Sequence, residues 1–309
     1  MGDTIQKSRM QRDIFGHEHA AQIAKLTKQI ENLRSEIYDP LKKKRKCYGF
    51  RDWEIVKETR PLDYSKITEN LFGISSKYLA SVDISGCISS CFFCWVDWEN
   101  EYKFKARFYS HDEIYERLLD LKGDIWRFTG GEPLIVPELP LEICAKLHID
   151  NLQKVFWLET NLLPLAIYHD FARGLSEYKR VVVHCSIKGA DSESYERITG
   201  LDGEYYKLTL LGLKSLIENG IEVFPSLLVN NLPPDKLELL FNDLLEIHSK
   251  LPLRVMIRRV LLYAPTVRRM KESRIKLYSF NECLQRWNRL LIESYGTGYI
   301  NVQRWKIKL

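Results

Sequence analysis

Gly86-Cys87-Ile88-Ser89-Ser90-Cys91-Phe92-Phe93-Cys94-Trp95 is the stretch around which the chain is organised. It follows an apolar run at 79–84 that reads as a buried strand. Three sulfurs spaced CxxxCxxC sit on a loop short enough to turn all three thiolates to one face of a metal cluster. An iron–sulfur cluster can take four Cys. No fourth lies nearby, so one iron of a four-iron cluster is left open, and an open position is where a substrate or cofactor binds a metal. A structural zinc site is the alternative. It wants a fourth Cys or His at a recognisable spacing, and neither His111 nor Cys47 supplies one.

Beyond the loop, extended and helical stretches alternate. Strands are expected at 79–84, 124–128, 154–159, 180–187, 221–229 and 253–262. Helices are expected near 110–121, 140–149, 164–174, 204–218, 235–249 and 279–295. That spacing suits βα units with parallel strands. Six such units predict an α/β fold, either an open doubly wound sheet or an incomplete barrel. The expectation adopted is a partial (β/α)6 TIM-type barrel with parallel strands, plus a mainly helical N-terminal extension. Both alternatives place their chemistry at the carboxyl ends of the strands.

The chain divides into a helical and basic extension (1–78), a core (79–265) and a closing helix with a short strand (266–309, the strand near 299–308). In the extension, Ile23, Leu26, Ile30, Leu33 and Ile37 form a helical apolar stripe that ends near Asp39-Pro40. The run Leu41-Lys42-Lys43-Lys44-Arg45-Lys46 reads as a solvated basic turn, with phosphate contact or a nuclear address as the other reading.

The 309 residues are 45% hydrophobic and 28% charged, ordinary for a globular protein. No apolar run reaches the ~18–20 residues of a membrane span, and the polar N-terminus carries no secretory signal. The expectation is a cytoplasmic protein with no membrane partner. Seven Cys, three of them clustered, argue for a metal site rather than a disulfide framework. Cys144, Cys185 and Cys283 read as small buried hydrophobes. A net charge of +5 permits an acidic partner or RNA without requiring either.

The cysteine loop after the first strand, CxxxCxΦC with Phe93 at Φ, resembles the signature of the radical S-adenosylmethionine (SAM) superfamily. The resemblance runs from about 79 to 265. Thr129-Gly130-Gly131-Glu132-Pro133 looks like that family's GGEP motif, and Glu159-Thr160-Asn161 is similar to an ETN found in several subgroups. Ser186-Ile187-Lys188-Gly189, followed by Tyr195–Gly200, resembles activating enzymes of glycyl-radical proteins. Those carry D-x-K before a similar Thr-Gly turn; here Ser186 stands where they have an acid.

The resemblance implies a [4Fe–4S] cluster on Cys87, Cys91 and Cys94, with SAM chelating the open iron. Reductive cleavage of SAM then yields a 5′-deoxyadenosyl radical that takes hydrogen from a substrate. It also implies an electron donor of the flavodoxin or ferredoxin type. The substrate is a protein or peptide, a small metabolite or cofactor precursor, or an RNA base. A non-catalytic iron–sulfur protein is the rival from another class.

Within that frame Gly130 and Gly131 admit the methionine part of SAM, Glu132 meets its amino group, and Phe93 shields the cluster. Alternation puts Val182, His184, Ser186 and Lys188 on one face of the fourth strand. Lys188 is expected at the SAM carboxylate and Ser186 at a ribose hydroxyl. Glu159 and Asn161 are expected at the cavity, as is Arg258 of the adjacent pair Arg258-Arg259. Trp95, Trp98 and Tyr102 could line the path of the substrate.

Overall fold

The computed structural model describes residues 19–55, 64–97, 105–299 and 303–309. Helix α1 (Ala20–Ile37) buries Leu26, Ile30 and Ile37 against the protein's own body. Near its end Arg34 holds Glu138 with two hydrogen bonds, at 2.6 and 2.9 Å. A short β1 (Tyr38–Asp39) then leads to β2 (Lys44–Glu54), a strand that the sequence reading did not single out. The basic run opens β2. Arg45 is fully buried, its guanidinium on the Ile37 and Lys46 carbonyls, while Lys43 pairs with Glu142 at 2.9 Å.

Helix α2 (Tyr64–Phe72) precedes β3 (Tyr78–Ile84). β2 runs antiparallel to β3, from Glu54 opposite Tyr78 to Cys47 opposite Ile84. β4 (Arg107–Ser110) pairs with the other edge of β2. Ser110 also starts α3 (His111–Leu119): its hydroxyl accepts from the Glu113 amide, and the Glu113 carboxylate accepts from the Ser110 amide.

The rest of the core is β5 (Ile125–Gly130), α4 (Glu138–Ile149), β6 (Val155–Thr160), α5 (Phe171–Ser176), β7 (Val181–Ile187), α6 (Ser192–Thr199), α7 (Tyr205–Glu218), β8 (Glu222–Leu228), α8 (Leu237–Ile247), a single turn α9 (Leu251–Arg254) and β9 (Met256–Arg258). Helices α10 (Ala264–Glu272) and α11 (Phe280–Tyr295) follow. Strands β3, β5, β6, β7, β8 and β9 are parallel and adjacent in chain order. A doubly wound sheet reverses its order at a switch point; this one does not. β1 lies at one end of the strand order and β9 at the other, so the sheet is not closed. The fold is a partial TIM-type barrel.

Three expected elements differ; the helix expected near 164–174 is a 3-10 turn at Leu163–Ala166 followed by the short α5. The strand expected at 253–262 is confined to Met256–Arg258. Pro252, well placed in a helical first turn, starts α9, and beyond the strand the Val260 amide is taken by Asn230 Oδ1 at 2.9 Å. The strand expected near 299–308 is, among the described residues, a helical turn at Arg304–Lys306; residues 300–302 lie outside them.

The outer face of the sheet carries Trp126, Phe128, Phe156 and Leu158 under the helices. The inner face begins apolar: Leu79, Ile125, Trp157, Val182, Phe224 and Met256 meet Tyr64 and Ile67 of α2. The chain end seals this floor, with Arg304 Nε donating to the Val255 carbonyl at 2.7 Å and Asn70 Nδ2 to the Trp305 carbonyl at 2.8 Å. No helix among the described residues is long and apolar enough to cross a membrane. Trp157 is fully buried, with the Tyr64 ring 4.6 Å from its own. Trp157→Ala is expected to lower the free energy of unfolding in urea by about 3–5 kcal/mol, and a loss below about 1 kcal/mol would refute this packing.

Candidate active site at the carboxyl ends of the strands

The three cysteines lie on the loop after β3, and four elements hold that loop. From β2, the Lys46 carbonyl accepts from the Ser85 amide at 3.0 Å. From the turn after β5, the Gly131 amide donates to Ile84 O at 2.6 Å and the Glu132 amide to Gly86 O at 2.7 Å. From α6, the Thr199 and Ile198 carbonyls accept from Ser90 N at 2.8 Å and Phe92 N at 3.4 Å. These are terminal carbonyls without intrahelical partners, exposed where Gly200, at φ +69°, ends the helix. From α10, Arg269 donates to the Cys94 and Val96 carbonyls, both at 2.6 Å, and Thr266 Oγ1 donates to Phe93 O at 3.2 Å.

The Gly130-Gly131 pair is explained by this junction. Gly130 has φ +94°, and a Cβ on Gly131 would lie 2.2 Å from the Gly86 carbonyl oxygen. The close approach that these glycines permit is between two loops of the protein itself.

All three cysteines are free; Cys91 is buried, and Cys87 and Cys94 are half-buried. Burial pushes the Cys87 thiol up to about 12, with Cys91 and Glu132 adding to the shift. Burial raises Cys91 as well. Lys188 faces them. Desolvation works against its ammonium, but Cys91, Cys87, Cys94 and Glu132 outweigh it and raise the Lys188 pKa. Its Nζ donates to Ser186 Oγ at 3.0 Å and stands 5.3 Å from the centre of the Phe93 ring. Among the described residues no three His, Cys, Asp or Glu side chains converge as a single metal ion would require.

Glu132 is buried and accepts three hydrogen bonds: from Asn161 N at 2.7 Å, Thr160 Oγ1 at 2.8 Å and Leu134 N at 3.0 Å. Burial raises its pKa against those donors. Most of its accepting capacity is thus used within the protein, joining the end of β6 to the turn after β5. Asn161 accepts from Leu163 N at 3.0 Å, and its Nδ2 approaches Cys87 Sγ at 3.9 Å.

Above the apolar floor lies a charged ring. Glu159 accepts from the Tyr64 hydroxyl at 3.0 Å and from Thr129 Oγ1, with Arg127 Nη1 and His184 Nδ1 each 3.8 Å away. Arg127 donates to the Tyr64 hydroxyl at 3.0 Å and to Ser81. Burial alone would raise the Glu159 carboxyl; Arg127, His184 and the two hydroxyls outweigh it and hold it below its ordinary value. Burial lowers His184 to about 3, with Glu159 opposing and Arg258, Arg127 and Lys188 assisting. His184 Nε2 is buried without a hydrogen-bond partner. Arg258 lies near enough to Tyr64 and His184 to act on both, whereas Arg259 is exposed and stacks on Phe280 at 4.6 Å.

Several site residues escaped the sequence reading. Arg127 and Asp83 occupy inward positions of their strands, and period-two alternation could have found them. Asp83 accepts from Arg51 Nε at 2.8 Å. Tyr64, Thr266 and Arg269 had no comparable signal, since packing alone brings them here. Trp95 is 41% exposed beside Cys94; Trp98 and Tyr102 lie outside the described residues.

The sequence profile of the Radical SAM superfamily matches residues 81–244. The chain belongs to that superfamily. No curated protein matches it significantly. Among solved structures, a variant of spore photoproduct lyase is 12% identical over 72% of this chain and 75% of its own, with a TM-score of 0.51. SuiB of Streptococcus suis bound to its precursor peptide SuiA is 18% identical over 67% and 43%, with a TM-score of 0.49. A complex of anSMEcpe with AdoMet and the Kp18Cys peptide is 18% identical over 70% and 59%, also at 0.49. This radical SAM chain spans about half the length of the last two proteins. At 12% identity the likeness to spore photoproduct lyase shows a shared fold.

The buried His184 makes a pH prediction. An unfolded His titrates near pH 6.5, whereas the folded group does so at about 3. Between those values the folded state binds fewer protons. Stability present above pH 6.5 should therefore be lost as pH falls, by up to about 1.4 kcal/mol per pH unit. His184→Gln should flatten the urea-unfolding profile between pH 6 and pH 4; an unchanged slope would assign the titration elsewhere.

Proposed function

We propose that this protein is a radical SAM enzyme that carries a [4Fe–4S] cluster on Cys87, Cys91 and Cys94, binds SAM at the open iron, and abstracts hydrogen from a protein or peptide substrate. The observation that carries the reading is the three-thiol loop, fixed by β2, the turn after β5, α6 and α10, with the Lys188 cation beside it. The peptide substrate rests on the resemblance of Ser186–Gly200 to activating enzymes. Residues 79–265 form the catalytic core in this reading, with 1–78 and 266–309 closing it.

The surroundings fit such a cluster. Thiolates are the soft ligands that iron–sulfur clusters take. The Ser85 and Ser89 hydroxyls, flanking Cys87, and the Tyr195 hydroxyl are buried with no partner. An unmet buried hydroxyl costs roughly 1–3 kcal/mol, and acceptor sulfur beside the loop relieves that cost. When bound, the cluster supplies the electron that cleaves SAM to methionine and a 5′-deoxyadenosyl radical.

The chain's own residues do the rest. Cys87 and Cys91, raised by burial, release protons as the cluster loads, so assembly weakens at low pH. Lys188 holds the SAM carboxylate and Ser186 a ribose hydroxyl. Glu132 keeps Asn161 in place near Cys87 and offers its remaining lone pair to the SAM amino group. Gly130 and Gly131 fix the height of the cluster loop, and Phe93 covers it. Glu159 and Arg258 present a polar ring to the substrate, and the floor beneath excludes water. An electron donor of the flavodoxin or ferredoxin type supplies reducing equivalents.

Protein reconstituted anaerobically with iron and sulfide, then given dithionite and SAM, should form 5′-deoxyadenosine detectable by mass spectrometry. Replacing Cys87, Cys91 and Cys94 together by Ala should abolish it; product persisting in that variant sinks the mechanism. Lys188→Ala should weaken SAM binding about tenfold, the effect of losing roughly 1.4 kcal/mol, with iron content unchanged. Binding as tight as the parent's would remove Lys188 from the SAM site.

A further inference from the structure

We propose that the basic surface around α10 is where an acidic one-electron donor protein docks. The inference rests on reading the cysteine loop as an iron–sulfur site, and names the surface through which that site is reduced.

Charge is concentrated here. Residues 258–276 hold seven Lys and Arg against the single acid Glu272; three of the seven, Arg258, Arg268 and Arg269, are engaged with the barrel interior, Asp97 and the cysteine loop, and four remain for the surface. Arg259, Lys271, Arg274 and Lys276 are all exposed. Between the charges lie exposed apolar side chains: Leu262 at 64%, Leu261 at 42% and Tyr278 at 39%. Such an arrangement, apolar contacts among charges of one sign, suits a transient complex with an oppositely charged protein.

The same segment touches the cysteine loop. Arg269 spans the Cys94 and Val96 carbonyls, Thr266 binds the Phe93 carbonyl, and Arg268 pairs with Asp97 at 2.9 Å. One face of α10 therefore grips the backbone around the third cysteine, while Lys271, Arg274 and Lys276 are exposed. Trp95, next to Cys94, is itself 41% exposed.

The reaction requires such a place. Reductive cleavage of SAM takes one electron, and in this reading an external donor supplies it. A reduced flavodoxin gives up one electron here and is oxidised by one; no bond forms or breaks at the docking surface. Its negative charge is drawn to the basic patch, which raises the encounter rate at low salt.

The test compares two reductants on the reconstituted full chain. In the Lys271→Glu, Arg274→Glu, Lys276→Glu variant, SAM cleavage driven by reduced acidic flavodoxin should fall at least about tenfold, while cleavage driven by dithionite and the iron content stay at the parent level. Undiminished flavodoxin-driven cleavage overturns the proposal. A parallel fall with both reductants also overturns it, since the patch would then serve SAM or an acidic substrate. With the unaltered protein, raising NaCl from about 50 to about 300 mM should slow only the flavodoxin-driven rate; equal sensitivity with both reductants counts against docking here. If the parent protein cleaves no SAM with dithionite, the iron–sulfur reading fails first, and visibly so.

Discussion

Two backbone hydrogen bonds, from the Gly131 and Glu132 amides to the Ile84 and Gly86 carbonyls, tie the turn after β5 to the root of the cysteine loop. Much of the upper half of the molecule is arranged so that they can form. Any side chain at 131 would strike the Gly86 carbonyl, and one at 86 would strike Ile37 of α1 at 2.5 Å. The two glycines thus allow three layers, helix, loop and turn, to stack at backbone distance. Glu132 extends the clamp sideways to Thr160 and Asn161, so the ends of β3, β5 and β6 are held as one unit.

Below that clamp the barrel interior is graded. The apolar floor is closed by α2 and the chain end, and the ring above it contains Arg127, Glu159, His184 and Arg258. Charges in such a place are tolerable because they meet one another: Glu159 is held ionised by Arg127 and by the Tyr64 and Thr129 hydroxyls. Low local polarity strengthens each of those contacts, and it makes the unpartnered Nε2 of His184 costly.

Much of this was legible in the sequence, for identifiable reasons. The CxxxCxxC spacing is local, so three neighbouring thiols follow from chain connectivity alone. Period-two alternation in β7 set His184 and Ser186 on one face, since a strand's side chains alternate wherever it lies, and Lys188, just past the strand end, reaches Ser186. The spacing of the six apolar runs suited parallel βα units for the same local reason. Boundaries were less legible where a side chain competes with the sheet: Asn230 captures Val260, and Pro252 turns the chain before β9.

The sequence by itself determined the cysteine loop, the glycine pair and the alternation that puts His184 and Ser186 on one face of β7, because each depends on residues close together in the chain. Only the tertiary structure decided that the basic segment 44–46 enters a strand, that Tyr64 closes the barrel from below, and that Arg269 grips the loop from 175 residues away. It also decided the task of Glu132, whose partners lie on other elements. These depend on which surfaces meet when the sheet curls, and burial and hydrogen bonding of distant groups carry no periodic signature along the chain.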